Sequence, residues 1–282
     1  MPEQPVHVHI SASRRPFELR LREVWQYRDL ILLLTRRSFA VAYKQTILGP
    51  AWLIISPLLS SLIYLMLFGQ IARLGTDGAP QILFYLCGTA LWGFFAACVT
   101  GNAGTFVSHS QLFGKVYFPR LTVPVSNVLS SAVRFAVQLL LVVAFLLVYL
   151  ARGAVSPHGW AWLLIPVIVL QLGLLGMGCG ILVSALTTKY RDLSVLVSIG
   201  MQLWMFATPV VYPLSTLPDG ALRTAILWNP VTAPMELFRY AALGIGSVLP
   251  VQLAASAAMT LIIALLGVAL FNRVERTFLD TV

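Results

Sequence analysis

Charged side chains are scarce in this sequence. Only 10% of its 282 residues are Asp, Glu, Lys or Arg, while 59% are hydrophobic. A soluble domain carries about 25% charged residues, so this composition excludes a fold with a mostly water-exposed surface. The formal charge of +9 alone would permit nucleic-acid binding, but the basic residues lie between long apolar runs. The chain is therefore predicted to be a membrane protein that binds no nucleic acid.

Cysteine is also rare, and catalytic motifs are missing. Cys87, Cys98 and Cys179 lie inside apolar runs without metal-ligand spacing, so we expect packing residues and no metal site. The sequence contains no HExxH, GxSxG or P-loop pattern, and its four histidines are not paired with carboxylates at ligand spacing. We expect no catalytic residues, no cofactor bound by this chain, and no ATP hydrolysis by this chain itself.

Carboxylates are absent from the middle of every long apolar stretch, although the chain has ten Asp and Glu residues. Carriers driven by protons or sodium usually place a carboxylate near the membrane midplane. Any transport by this chain is therefore predicted to draw its energy from another source.

Six apolar stretches are each long enough for a membrane-spanning helix, which needs about 20 residues. They cover approximately residues 48–71, 82–107, 121–150, 160–187, 193–212 and 251–271. Most Lys and Arg residues lie in connections on the side of both termini, and four lie on the other side, namely Arg73, Arg152, Arg223 and Arg239. By the positive-inside rule, both termini are predicted to be cytoplasmic. The predicted fold is all-α, with six transmembrane helices in the inner membrane, an N-terminal region at 1–47 and a C-terminal tail at 272–282.

The region before the first span has the spacing of an amphipathic helix. Val24, Tyr27, Ile31 and Leu34 recur along one side of residues 17–43. We expect an interface helix along the cytoplasmic surface, in contact with membrane lipids. The pattern leaves two roles open: a lever that contacts a cytoplasmic partner, or an anchor that only sets topology.

The segment at residues 213–250 is too interrupted for a normal span and too apolar for an ordinary loop. Residues 221–228 and 231–243 are each long enough for a short helix. Two short re-entrant helices before the last span fit this pattern, because irregular backbone inside the membrane must be buried or line a cavity. The alternative is a periplasmic loop lying on the membrane surface.

Small residues repeat at every fourth position in two of the predicted spans. Gly93, Ala97 and Gly101 form one stripe, and Gly176 and Gly180 begin the other. This spacing permits close contact between helices, so both stripes are predicted to pack against neighbours.

One cation and many aromatic residues lie within the predicted spans. Arg134 either snorkels to the cytoplasmic interface or contacts an anionic phosphate of a lipid-linked substrate. Most aromatic residues have the positions of interface anchors, but those nearer the middle could line a path on which sugar rings stack. The candidate substrate-path residues are Arg37, Lys44, Trp52, Trp92, Phe95, Arg134, Trp204 and Tyr212.

Four motifs together resemble the ABC-2 type permeases of polysaccharide exporters. The run YKQTILGPAWL at 43–53, followed by Ser56-Pro57, is similar to the start of these permeases, and KVYFPR at 115–120 resembles their cytoplasmic loop. The run TPVVYP at 208–213, with Asn229-Pro230, is similar to their fifth span and outer segment, and RVERTF at 273–278 to their C-terminal tail. The resemblance covers residues 29–278.

The resemblance implies partners and a function. Such permeases form homodimers, pair with two copies of a separate ABC ATPase subunit that holds ATP and Mg, and export lipid-linked polysaccharide such as O-antigen, capsule or teichoic-acid polymer. It implies that the interface helix packs beside the ATPase, which favours the lever role, and that the outer segment closes the exit. The implied ATPase-coupling residues are His109, Gln111, Lys115, Tyr117, Arg120, Lys189, Arg191 and Asp192.

Three other functions stay as alternatives. The first is an ABC-2 permease that exports a drug or small lipid, which the polysaccharide motifs disfavour. The second is a glycan-modifying membrane enzyme, which would need acidic or His residues facing a cavity. The third is a passive channel, which would work without an ATPase.

Overall fold

The computed structural model of this chain describes residues 21–44, 46–105, 118–187, 193–247 and 249–279. These residues form helices and connections without any β-strand, which confirms the predicted all-α class. The helices are α1 (Leu21–Gln26), α2 (Arg28–Tyr43), α3 (Trp52–Tyr64), α4 (Gln81–Ala103), α5 (Thr122–Ala151), α6 (Ile165–Thr187), α7 (Leu193–Phe206), α8 (Ala221–Leu227), α9 (Thr232–Leu243) and α10 (Pro250–Leu279).

Five helical segments in the described part of the chain are long and apolar enough to cross a membrane. They are Gly49–Ile71, Gln81–Ala103, Thr122–Ala151, Gly159–Thr187 and Pro250–Arg273. The first continues α3 through a π-helical turn at Leu65–Ile71, and the fourth begins with a 3₁₀ turn at Gly159–Leu164. These segments correspond to the first four predicted spans and the sixth, so the chain is a multi-pass membrane protein.

The fifth predicted span, residues 193–212, is shorter than expected. Its helix α7 has 14 residues and is therefore about 21 Å long, against about 30 Å for the hydrocarbon core. The helix stops because Pro209 lacks an amide proton and disfavours helical backbone at Thr208. A tight turn follows, in which the Val210 amide donates to the Thr208 carbonyl oxygen at 2.7 Å. A crossing by α7 stays a prediction.

The amphipathic stripe predicted before the first span packs against the helix bundle. Val24, Ile31 and Leu34 are buried, and α2 packs along α5. Leu34 belongs to a cluster with Phe118 and five other residues from the ends of α5, α6 and α10: Val123, Ile181, Val268, Phe271 and the partly buried Leu121. The exposed apolar side chains Trp25, Leu32 and Leu33 lie off the predicted stripe. Any contact of this helix with lipid would therefore use the other face.

The segment before the last span forms two short helices close to the predicted ranges. α9 is buried at every position from Thr232 to Arg239, and it packs against α4, α6 and α10. α8 is mostly exposed, with Ile226 as its buried residue. The interpretation of the whole segment as a surface loop is therefore wrong for α9.

Helix α4 is the centre of the core, and α6 packs between α4 and α10. A Cβ on Gly176 would lie 2.6 Å from Cys98 Cβ, and one on Gly180 would lie 2.5 Å from Asn102 Cβ. The α6 stripe thus packs closely on a neighbour, as predicted. The α4 stripe differs, because a Cβ on Gly93 would meet nothing within 4 Å.

Candidate functional site

Three of the predicted path residues form one aromatic cluster. Trp92 and Phe95 extend from adjacent turns of α4, and Trp204 reaches them from α7. The Trp204 ring centroid lies 5.1 Å from that of Phe95 and 6.4 Å from that of Trp92, and both ring pairs are close to perpendicular. Edge-to-face pairs of this kind are favourable beyond the area they bury. Phe95 is fully buried and Trp92 nearly so. Trp204 is partly buried and is therefore the member of the cluster nearest to the surface.

Asn229 joins this cluster to the segment at residues 213–250. Its Oδ1 accepts hydrogen bonds from Trp204 Nε1 at 3.2 Å and from the Val231 amide at 3.1 Å. Its Nδ2 donates to the Ala207 carbonyl oxygen and to Thr208 Oγ1, both at 2.9 Å. All four hydrogen-bonding positions of the amide are thus satisfied. The arrangement fixes the end of α7 against the connection between α8 and α9.

An open pocket of about 680 Å³ lies between the end of α7 and α8. Its walls include Trp204, Phe206 and Tyr212 on one side and Leu222 and Ile226 of α8 on the other. The Tyr212 hydroxyl donates to the Phe206 carbonyl oxygen at 2.9 Å, which fixes the ring beside the pocket. Aromatic faces with few polar groups suit the C–H faces of sugars or an apolar chain.

Arg134 lies on α5 and is only partly buried. Its Nη2 donates to Ser131 Oγ at 2.9 Å. Ser126, eight residues earlier on α5, accepts at its carbonyl oxygen from Thr35 of α2 at 3.4 Å. At 1.5 Å per residue, Arg134 is about 12 Å deeper along α5 than this contact with α2. Ser131 is the one hydrogen-bond partner of Arg134 among the described residues, and two turns earlier on α5 Asn127 Nδ2 donates to the Gly101 carbonyl oxygen of α4.

The other predicted residues lie elsewhere. Arg37 and Lys44 are exposed on and after α2, and Trp52 is exposed at the start of α3, so none of them joins the aromatic cluster. Arg120 is buried where the chain enters α5. The remaining predicted coupling residues lie outside the described residues: His109, Gln111, Lys115, Tyr117, Lys189, Arg191 and Asp192.

Sequence reasoning missed a buried ion pair in α9. Arg239 was counted as a charge on an outer connection, but it is 1% exposed, and Glu236 is 4% exposed. Arg239 Nη1 donates to Glu236 Oε1 at 3.2 Å. Burial raises the pKa of the Glu236 carboxyl, whereas the neighbouring charge of Arg239 lowers it. The signal was available, since opposite charges three residues apart in an apolar run face the same side of a helix.

Residues 29–243 match the ABC-2 type transporter family, a range that runs from α2 to the end of α9. The chain belongs to this family.

Several curated relatives align with this ABC-2 type transporter over most of their length. The O-antigen export system permease protein RfbA of Klebsiella pneumoniae is 30% identical over 253 residues, which cover 89% of this chain and 94% of the relative. The protein of the same name from Myxococcus xanthus is 32% identical over 78% of this chain and 82% of the relative. The polysialic acid transport protein KpsM of Escherichia coli is 24% identical, with 87% and 93% covered.

Proposed function

We propose that this chain is the permease subunit of an ATP-driven ABC exporter that moves lipid-linked polysaccharide across the inner membrane. Relatives named as O-antigen export permeases align over most of this chain, and one named for polysialic acid transport does so at lower identity. The substrate class of those relatives supports a glycan here. This chain has no P-loop, so ATP and Mg would be held by a separate subunit.

The single observation in the structure that carries this proposal is the aromatic wall of the pocket beside α8. Trp204 and Tyr212 present rings there, and Asn229 supplies a polar group whose bonds are already satisfied. Such a surface offers stacking contacts but few strong donors, so it would hold a sugar chain weakly. Weak holding suits a polymer that must slide, since tight binding at one place would stall it.

The proposed topology has six crossings with both termini in the cytoplasm. α7 would make the fifth crossing together with the turn after it, and α8 and α9 would be re-entrant from the outer side. Irregular backbone is tolerated at membrane depth where protein buries it, and α9 is buried against three helices. The excess of Lys and Arg on the side of the termini supports this orientation.

Coupling to the ATPase would act through α2 and through the cytoplasmic loop that ends at Arg120. Leu34 of α2 lies in one cluster with Phe118, the first described residue of that loop. A movement of α2 would therefore reach the start of α5 through packed side chains. We propose two ATPase copies on a homodimer of this permease, with the predicted residues at 109–120 and 188–192 as the docking elements.

The lipid-linked substrate would enter from the inner leaflet with its phosphates toward cations. Arg37 and Lys44 are exposed near the cytoplasmic end, and Arg134 lies deeper with Ser131 as its one described hydrogen-bond partner. Guanidinium groups bind phosphate through paired hydrogen bonds, which makes Arg134 the proposed inner contact.

Export of a drug or small lipid is the second candidate function. The pocket favours it in one respect, because nearly all side chains around it are apolar and an acyl or isoprenoid chain would fit. The relatives named for glycan export favour a polysaccharide substrate instead.

One experiment tests the proposed function. The chain is co-purified with an ABC ATPase encoded beside it, placed in lipid nanodiscs, and assayed for ATP hydrolysis with lipid-linked glycans and with a matched isoprenoid diphosphate that lacks sugar. We expect stimulation by the glycan-bearing lipid above that by the bare lipid. Equal stimulation by both would favour the small-lipid function, and absence of both a partner and any stimulation would contradict the proposal.

A further inference from the structure

Arg239 is the largest fully buried side chain in the described part of the protein, and it lies outside the five long apolar helices. A buried guanidinium is costly, because it loses its hydration and recovers little unless its donors are satisfied. Arg239 makes two hydrogen bonds and one ring contact, which reach three different parts of the chain, while its Nε has no hydrogen-bond partner among the described residues.

The first two partners are oxygens. Arg239 Nη1 donates to Glu236 within α9, while Nη2 donates at 2.7 Å to the carbonyl oxygen of Val210, in the turn after α7. The third partner is α4, since the guanidinium carbon lies 3.8 Å from the ring centroid of Phe84. One planar group thus connects α9, the α7 turn and α4 at the same point.

A glycine in helix α4 leaves room for the Val210 turn and for Arg239. A Cβ on Gly88 would lie 2.4 Å from the Val210 carbonyl oxygen and 3.2 Å from Arg239 Nη2. Backbone oxygen cannot yield at such a distance, so only glycine allows the Val210 turn to approach α4 this closely. The close approach of the turn to α4 and the hydrogen bond from Arg239 to the Val210 carbonyl oxygen therefore depend on each other.

Hydrogen bonds continue from this point to the candidate site. The Val210 amide donates to the Thr208 carbonyl oxygen, and Thr208 Oγ1 accepts from Asn229 Nδ2. Asn229 Oδ1 in turn holds Trp204 Nε1. Displacement of Val210 would therefore shift the groups that place Asn229 and Trp204 beside the pocket.

Stability alone gives a weak reason for such a pair. Replacing a buried ion pair with apolar side chains of similar volume is often neutral or stabilising. An apolar pair at 236 and 239 would fill the space but could not hold the Val210 carbonyl oxygen, whereas Arg239 satisfies this oxygen at a fixed distance. Only the ion pair can fix the position of the Val210 carbonyl oxygen.

We propose that Arg239, oriented by Glu236, is a positioning residue that fixes the turn after α7 against α4 and thereby places Trp204 and Asn229 at the substrate pocket. The effect on transport rests on the proposed function, while the effect on the position of the turn does not.

Cys87 provides a reporter of position that is independent of transport. It is fully buried on α4, next to Gly88, where a Cβ would lie 3.2 Å from Arg239 Nη2. In a background with Cys98→Ala and Cys179→Ala, the rate of maleimide labelling of Cys87 in nanodiscs measures local opening. We expect Arg239→Gln to raise this rate by about tenfold or more, and Arg223→Gln, at an exposed ion pair of α8, to leave it unchanged.

Two further variants separate position from stability. The apolar pair Glu236→Leu with Arg239→Met should restore thermal unfolding close to that of the wild type but not glycan-stimulated ATP hydrolysis. Arg239→Lys retains the charge beside Glu236 and should fold. It lacks the planar fork, so we expect glycan stimulation to fall by about tenfold.

The outcomes are distinguishable. Unchanged Cys87 labelling in Arg239→Gln, or full glycan stimulation in the apolar pair or in Arg239→Lys, would overturn the positioning role. No glycan stimulation in the wild-type complex would count against the proposed function instead, and the labelling comparison would still decide the position of the turn.

Discussion

At the scale of single residues, Arg134 and Arg239 carry the same charge in opposite surroundings. Arg239 is enclosed by Glu236, Phe84 and the Val210 carbonyl oxygen, and its Nη1 and Nη2 donate to groups of the protein. Arg134 is partly exposed, and its one described partner is the neutral Ser131 hydroxyl. A cation that is not neutralised by the protein retains its attraction for an external anion. The enclosed Arg239 suits a structural contact, and the partly exposed Arg134 suits contact with a ligand.

Arg134→Ala should weaken the response to lipid-linked glycan. Loss of charge-assisted hydrogen bonds to phosphate predicts about a tenfold rise in the glycan concentration for half-maximal ATPase stimulation. Arg134→Lys should recover part of the response, because it keeps the charge without the paired geometry. The matched control is Arg152→Ala, just beyond the C-terminal end of the same helix, where the guanidinium lies over the Tyr149 ring. Normal export and stimulation in Arg134→Ala would end its assigned role.

At the scale of helices, contact between α6 and α4 depends on positions without side chains. The backbones approach so closely that a Cβ on Gly180 would lie 2.5 Å from Asn102 Cβ and 2.6 Å from the Val99 carbonyl oxygen. Between membrane helices such close packing, rather than exclusion of water, supplies much of the stability. Gly93 has the same spacing in sequence but faces open space in a single chain.

Gly180→Ala should therefore destabilise the protein, and Gly93→Ala should not. Overpacking predicts a loss of about 1–3 kcal/mol for Gly180→Ala, whereas alanine at an unobstructed helical position is neutral or better by up to about 1 kcal/mol. Thermal unfolding of the two variants in one detergent makes the comparison. Equal unfolding temperatures would show that the close approach of α6 and α4 has no energetic weight.

At the scale of the whole molecule, the number of crossings depends on α7. With 14 residues, this helix is too short to cross on its own, and the irregular turn that follows it is held by Arg239 and Asn229. If α7 crosses, residue 219 lies outside and residue 273 inside. If it does not, the two positions exchange sides.

Cysteine labelling distinguishes these topologies. Asp219→Cys and Arg273→Cys are placed singly in a cysteine-free background and treated with an impermeant maleimide in intact spheroplasts. We expect labelling at 219 without permeabilisation and at 273 only after it, with the exposed Arg73→Cys as the outer control. The reverse pattern would contradict the six-span topology.

How much could be predicted from the sequence differs between these scales. The five long helices were found because composition and length determine insertion into a bilayer, and α8 and α9 were found from their apolar runs. The ring contacts of Trp204 with Trp92 and Phe95 were not predictable, since residues more than 100 positions apart meet only through the packing of α7 on α4. The spacing of Glu236 and Arg239 could indicate an ion pair, but the contacts of Arg239 with Val210 and Phe84 were not predictable, since those residues belong to other elements.

Length, apolar content and sequence motifs were sufficient to predict an all-α membrane protein of the ABC-2 type, because these are properties of the linear chain. Packing between remote segments determines which face of α2 is buried, how the end of α7 contacts the segment at residues 213–250, and that Arg239 joins three elements. Those facts depend on distances between remote segments. Such distances are set by close packing at positions such as Gly88 and Gly180, which no local pattern reveals.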